Sequence, residues 1–141
     1  PGAVCVLPIK EDGNVIFVNQ FRYAFNKVTL EAPAGKLDKG ELPLDAAKRE
    51  LREETGLSAN NIIYLGEMYT TPALIDEIIH LYLATDLVSG EQDLDEDEFI
   101  NVIEMPLSEA EEMVMKGLIK DSKTQTLISA LQTRKMKPIK Q

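Results

Sequence analysis

The sequence predicts an α/β fold, a mixed sheet between helices, and three observations carry that expectation. Short apolar runs of strand length recur along the chain, other segments repeat their apolar residues with helical spacing, and the two kinds mix without a regular strand–helix–strand rhythm. A length of 141 residues suits a single domain spanning residues 1–141. A domain of that size buries roughly 68–70% of its unfolded surface, so it can build a core without disulfides.

Residues 3–9 and 15–18 read as strands, and Asp12-Gly13 between them is a hairpin signal. Residues 28–32 give another strand, ended by Pro33 and Gly35. Residues 44–55 are helical, with Leu44, Ala47 and Leu51 on one stripe. Pro43 fits the first helical turn, where its missing N–H is harmless, and Gly56 is a C-terminal stop. Residues 62–68 and 78–84 are strands joined by a loop over 69–76, and residues 99–104 form a further strand. Ser108 caps a helix running to about residue 116, followed by a last helix over residues 122–135.

Composition narrows the function classes. Hydrophobic residues at 44% and charged residues at 28% argue against disorder. No apolar run approaches the ~18 residues that span a bilayer, which speaks against a membrane role. The single cysteine, Cys5, sits in an apolar strand and points to inert core in a reducing compartment, the cytoplasm. A net charge of −9 repels nucleic-acid backbones. From residue 120 onward the balance reverses, with six basic residues and one acid, as suits cations near the negative end of a closing helix.

The most informative stretch is the helix over residues 44–55. Glu50, Glu53 and Glu54 stand at i, i+3 and i+4, so three carboxylates share about one turn of one face. Beside a buried stripe they repel one another more strongly than in water. An oxygen-only cluster suits hard cations such as Mg²⁺ or Mn²⁺, Arg49 can pair with one of the carboxylates, and a solvated acidic face is the plainer alternative.

The wider pattern decides between them. Gly35, five residues, Glu41, seven residues, then Arg49-Glu50-Leu51-Arg52-Glu53-Glu54-Thr55-Gly56-Leu57 resembles the signature of the Nudix hydrolases without a mismatch. Seven positions demand one residue type, and the chance of that is on the order of 10⁻⁸ to 10⁻⁹ per starting position. The resemblance implies a Nudix α/β/α sandwich that cleaves a nucleoside diphosphate linked to another moiety. It makes Glu50, Glu53, Glu54 and the Ala34 carbonyl metal ligands for two or more Mg²⁺ or Mn²⁺ ions. It makes Gly35, Glu41 and Gly56 structural support, with Arg49 holding a glutamate in place.

Further segments resemble the ADP-ribose pyrophosphatase branch of that family. They are Leu30-Glu-Ala-Pro-Ala-Gly35, the loop Thr71-Pro-Ala-Leu-Ile-Asp-Glu77, and Arg22 within Gln20-Phe-Arg-Tyr23. Ala73 and Ile75 depart from the branch pattern. The resemblance implies that Arg22, Pro72 and Glu77 bind the substrate. Residues 91–98 hold six acids in eight positions, which alone reads as a solvated loop. In the family an acidic loop here closes over the substrate, which makes Glu96 the general base, acting with Glu53 and Arg49, and Glu98 a further metal ligand. A slip of one residue, to Asp95 or Asp97, stays open. The implied reaction is hydrolysis of ADP-ribose to AMP and ribose 5-phosphate. Alternatives are another nucleotide sugar, a damaged nucleotide, or binding of ADP-ribose without cleavage. Relatives also carry an upstream segment of strands exchanged in a homodimer, which the sequence given lacks. His80, alternating with apolar neighbours, reads as a strand histidine.

Overall fold

The computed structural model describes residues 2–97 and 99–134. In chain order its elements are β1 (Gly2–Pro8), β2 (Asn14–Arg22), β3 (Lys27–Glu31), β4 (Ala34–Lys36), α1 (Pro43–Thr55), β5 (Ser58–Tyr69), β6 (Ile78–Val88), β7 (Asn101–Pro106), α2 (Leu107–Met115) and α3 (Ser122–Arg134). Among the described residues the strands form a four-stranded mixed sheet, ordered β4-β1-β6-β5, and a three-stranded sheet, ordered β3-β2-β7. β1 runs parallel to β6 and antiparallel to β4, while β2 is antiparallel to both its neighbours.

Alternation along the buried strands divides the core in two. Val4 and Val6 of β1, with Tyr82 and Ala84 of β6, meet Ala46, Ala47 and Leu51 of α1. Cys5 and Leu7, with Leu81 and Leu83, face the opposite way and pack with Phe17 of β2 and Leu127, Ile128 and Leu131 of α3. The mixed sheet therefore lies between α1 and α3, as expected.

Several local expectations give way. Asp12-Gly13 makes its turn, with Gly13 at φ +86 and one antiparallel bridge from Ile9 to Val15, but β1 and β2 then part into different sheets. Both edges of β1 are taken by β4 and β6, so no ladder is left for a hairpin partner. β3 ends at Glu31, ahead of Pro33 as expected, but Gly35 is no stop, because residues 34–36 pair with β1 as β4. Ser108 is not a cap: α2 follows β7 with Pro106 as N-cap, so Ser108 already lies in the first turn. The last strand begins at Asn101, leaving Phe99 outside it and 85% exposed. The buried face of α1 is Ala46, Ala47, Leu51 and Glu54, and Leu44 is exposed. Glu54 stands at i+7 from Ala47 and i+3 from Leu51, on the buried stripe itself. The basic end of the chain from residue 135 lies outside the described residues. No helix among the described residues is long and apolar enough to cross a membrane.

Candidate active site

The sequence positions α1 by its ends. Pro43 opens the helix, and Gly56 closes it at φ +76 with its N–H donating to the Arg52 carbonyl at 2.9 Å. A left-handed residue there favours glycine. Packing of Ala47 and Leu51 on β1 and β6 then fixes the rotation of the helix and turns its glutamates toward β4.

Two of those glutamates flank the Ala34–Gly35 peptide. Ala34 donates its N–H to Glu54 Oε2 at 3.2 Å. The Glu50 carboxylate lies so close to Gly35 that a Cβ there would meet Oε1 at 2.0 Å. Glu54 is only 5% exposed, which its place on the stripe explains.

Arg49 organises the opposite side of the cluster. Its Nε and Nη2 donate to the two oxygens of Glu41 at 2.8 and 2.9 Å, a bidentate fork. Its Nη1 donates to Glu50 Oε1 at 2.8 Å and Glu53 Oε2 at 3.1 Å, and Nη2 also reaches the Lys36 carbonyl at 3.1 Å. Glu41 accepts the Asp38 N–H at 3.0 Å, bracing the loop between β4 and α1. The Arg49 hydrogen bonds, then the Asp38 amide, hold the Glu41 carboxyl down at about 2.

Arg49, Glu50, Glu53 and Glu54 line an open cleft of about 540 Å³. Arg22, Glu77, Asp95 and Lys123 line it too, together with Ala34 and Gly35. Arg22 does two things there: it lines the cleft, and its Nε and Nη2 grip the buried Glu31 at 2.8 and 2.6 Å. Lys123 of α3 donates to the same carboxylate at 2.8 Å and to Asp121 at 2.8 Å, and Thr29 donates its hydroxyl to it as well. Burial pushes the Glu31 carboxyl up, but the Arg22, Lys123 and Thr29 bonds outweigh it and hold the group at about 2.

Residues 1–124 match the family described as the NUDIX domain. The chain belongs to that family. An ADP-ribose pyrophosphatase of Bacillus subtilis is 43% identical, the match covering 95% of this chain and 74% of the relative. A methanol dehydrogenase activator of Bacillus methanolicus is 44% identical over 94% of this chain and 72% of its own length. A GDP-mannose pyrophosphatase of Cronobacter sakazakii is 40% identical over 94% and 74%. A solved ADP compounds hydrolase superimposes with a TM-score of 0.85 at 23% identity, covering 94% of this chain and 71% of the other, a likeness of fold.

Within the Nudix cleft, the remaining sequence-predicted residues divide. Glu77 lines the cleft, whereas Pro72 lies on a neighbouring groove with Leu74 and Ile75, which Glu77 also borders. Of the acidic segment, Asp95 lines the cleft and Asp97 a separate groove beside Arg22 and Phe99. Glu96 is exposed between them, and Glu98 lies outside the described residues. Cys5 is buried, with its thiol 3.9 Å from the Ala32 carbonyl, and burial pushes that thiol up. His80 sits within β6, its ring centroid 6.4 Å from that of Tyr64.

Sequence reasoning missed Glu31, Lys123 and Asp121. Asp121 was legible as a cap: its Oδ2 accepts the Thr124 N–H at 3.1 Å and hydroxyl at 2.6 Å at the start of α3. Nothing in the sequence pairs Glu31 with a lysine 92 residues away.

The donor set fits a hard divalent cation. It is made of oxygen alone, and the missing Cβ of Gly35 leaves the room that the Glu50 carboxylate takes. Among the described residues no three acidic, histidine or cysteine side chains already stand as a metal cage. Arg49 holds Oε1 of Glu50 and Oε2 of Glu53, and so fixes both carboxylates within the cleft.

Proposed function

We propose that this Nudix protein hydrolyses the pyrophosphate bond of ADP-ribose, giving AMP and ribose 5-phosphate, with a divalent metal in the cleft. The observation that carries this reading is the convergence of Glu50, Glu53, Glu54 and the Ala34–Gly35 peptide in a cleft that also presents Arg22 and Asp95. The substrate follows the 43% identical ADP-ribose pyrophosphatase.

Glu50, Glu53, Glu54 and the Ala34 carbonyl would hold the metal, with Glu98 as a further ligand. We take the metal to be Mg²⁺ or Mn²⁺, with two or more ions in the site. When bound, it supplies countercharge to the phosphoryl oxygens and lowers the pKa of an attacking water. The chain's own groups do the rest. Arg22 offers a planar donor fork to a phosphate while Glu31 keeps it oriented from behind. Arg49 fixes Glu50 and Glu53 against the helix. An acid of residues 95–98 takes the proton of the water: among the described residues Asp95 is the one that lines the cleft, and Glu96 is the position the family pattern favours. Glu77 lies at the junction with the groove of Pro72, which suits contact with the sugar.

A homodimer in the cytoplasm is the setting we propose. The exposed aromatic side chains of Tyr23 and Phe25 at the β2–β3 turn support an interface, and the lone buried thiol of Cys5 supports a reducing compartment.

The test is turnover of a panel of nucleoside diphosphate compounds at equal concentration with Mg²⁺. ADP-ribose is expected to rank first. GDP-mannose is the competitor to watch, because a GDP-mannose pyrophosphatase is 40% identical. Faster cleavage of GDP-mannose would move the substrate to another nucleotide sugar. Tight binding of ADP-ribose without any turnover would make the protein a sensor.

A further inference from the structure

The last carbonyls of any helix have no partner within it. In α1 the Arg52 carbonyl is satisfied by Gly56, but those of Glu53 and Glu54 are satisfied by the acidic segment. Asp93 donates its N–H to the Glu53 carbonyl at 2.9 Å. Gln92 donates Nε2 to the Glu54 carbonyl at 2.6 Å and to the Ile100 carbonyl at 3.3 Å. Just upstream the two backbones touch: a Cβ on Gly56 would lie 2.5 Å from the Gly90 carbonyl oxygen, and one on Gly90 would lie 2.7 Å from that of Gly56. One carboxamide thus ties the near and far ends of the acidic segment to the turn of helix that carries two of the site's glutamates.

We propose that Gln92 is a positioning residue for the pyrophosphatase reaction, fixing the acidic segment on the C-terminus of α1 so that Asp95 stands in the cleft with Glu50, Glu53 and Glu54. This rests on the functional reading above. The chemistry of the position is specific. Two carbonyl acceptors converge on Nε2, so the side chain must be a donor that reaches both. A carboxylate would oppose the carbonyls, and an aliphatic chain of the same length would leave them without this donor. Asp95 is three residues on, so a loss of the tether moves an acid inside the cleft, where a displacement of about 1 Å can cost on the order of 10²-fold in rate. A residue that merely capped the helix would act on the stability of α1 and leave the cleft geometry alone.

Gln92→Leu and Gln92→Lys in the full chain test this, read by hydrogen–deuterium exchange and by steady-state kinetics with ADP-ribose and Mg²⁺. Gln92→Leu is expected to exchange faster over residues 91–97 while the middle of α1 stays protected, and to lose about 10- to 100-fold in kcat with KM little changed. Gln92→Lys keeps an N–H donor and is expected to recover most of both. Unchanged exchange over residues 91–97 in the leucine variant overturns the proposal, as does wild-type kcat, or a lysine variant no better than leucine. A wild-type protein without turnover would overturn the functional reading instead, and exchange alone would then decide whether Gln92 anchors the segment.

Discussion

The Glu50 carboxylate occupies the space in which residue 35 would carry a side chain: a Cβ there would stand 2.0 Å from Oε1 and 2.6 Å from Oε2. Gly35 is required by room, since its φ is not in the left-handed region. A methyl group there must displace Glu50 from both the Ala34–Gly35 peptide and Arg49. Gly35→Ala is therefore expected to lose about 10²-fold in kcat/KM, the cost of misplacing a group by about 1 Å. Kinetics at saturating Mg²⁺ with a thermal melt alongside check it. Full activity in the alanine variant would show that Glu50 need not sit where it does.

Metal binding should stabilise the fold, because the folded chain alone brings Glu50, Glu53 and Glu54 to one cleft. At a Mg²⁺ concentration of about 100 times Kd, the wild type is expected to gain about 2.7 kcal/mol over the chelated protein. Glu54→Gln is expected to lose both that gain and metal-dependent turnover. Denaturant unfolding with Mg²⁺ and with EDTA measures it, and an equal gain in the glutamine variant would remove Glu54 from the ligand set.

Glu31 sets an acid limit on the fold. Its carboxyl is held at about 2, against 4.5 for an ordinary glutamate, so the unfolded chain takes up this proton more readily. The stabilisation is complete above about pH 4.5 and is lost as pH falls toward about 2. Glu31→Gln is expected to flatten the decline in that window. At neutral pH it should cost about 3 kcal/mol, the low end for breaking a buried pair, because Lys123 keeps Asp121 and Arg22 can turn to water. Unfolding curves from pH 7 to 2 decide it, and parallel pH profiles for the two proteins would remove Glu31 as the cause.

The parts of this site that were legible in the sequence are those where a residue type is irreplaceable. Gly35 is needed for room, Gly56 for its positive φ, Arg49 for a planar fork that serves Glu41, Glu50 and Glu53 at once. The expected strands and helices were found for a similar reason, since burial writes its period into the apolar residues. Pairing was harder. Asp12-Gly13 forms its turn, yet whether β1 pairs with β2 depends on competition from β4 and β6, which no local pattern records. Glu31 with Lys123 and Gln92 with Glu54 are contacts between distant segments, and a glutamine among six acids gives no sign that its carboxamide ends a helix.

The general base is the least constrained assignment, because residues 95–98 are all acids and any of them can take a proton. The fold separates the three described ones, Asp95, Glu96 and Asp97. Asp95 shares the cleft with Glu50, Glu53 and Glu54, Asp97 lines another groove beside Phe99, and Glu96 is exposed and lines neither. Removing a general base costs about 10²- to 10⁴-fold in turnover. Asp95→Asn is accordingly expected to fall by that much in kcat with the affinity for ADP-ribose kept, and Glu96→Gln to fall far less. Single-turnover rates and substrate binding for the two variants separate the cases. A large loss in Glu96→Gln with Asp95→Asn near wild type would give the role to Glu96, and would require the segment beyond its Gln92 anchor to turn once substrate enters.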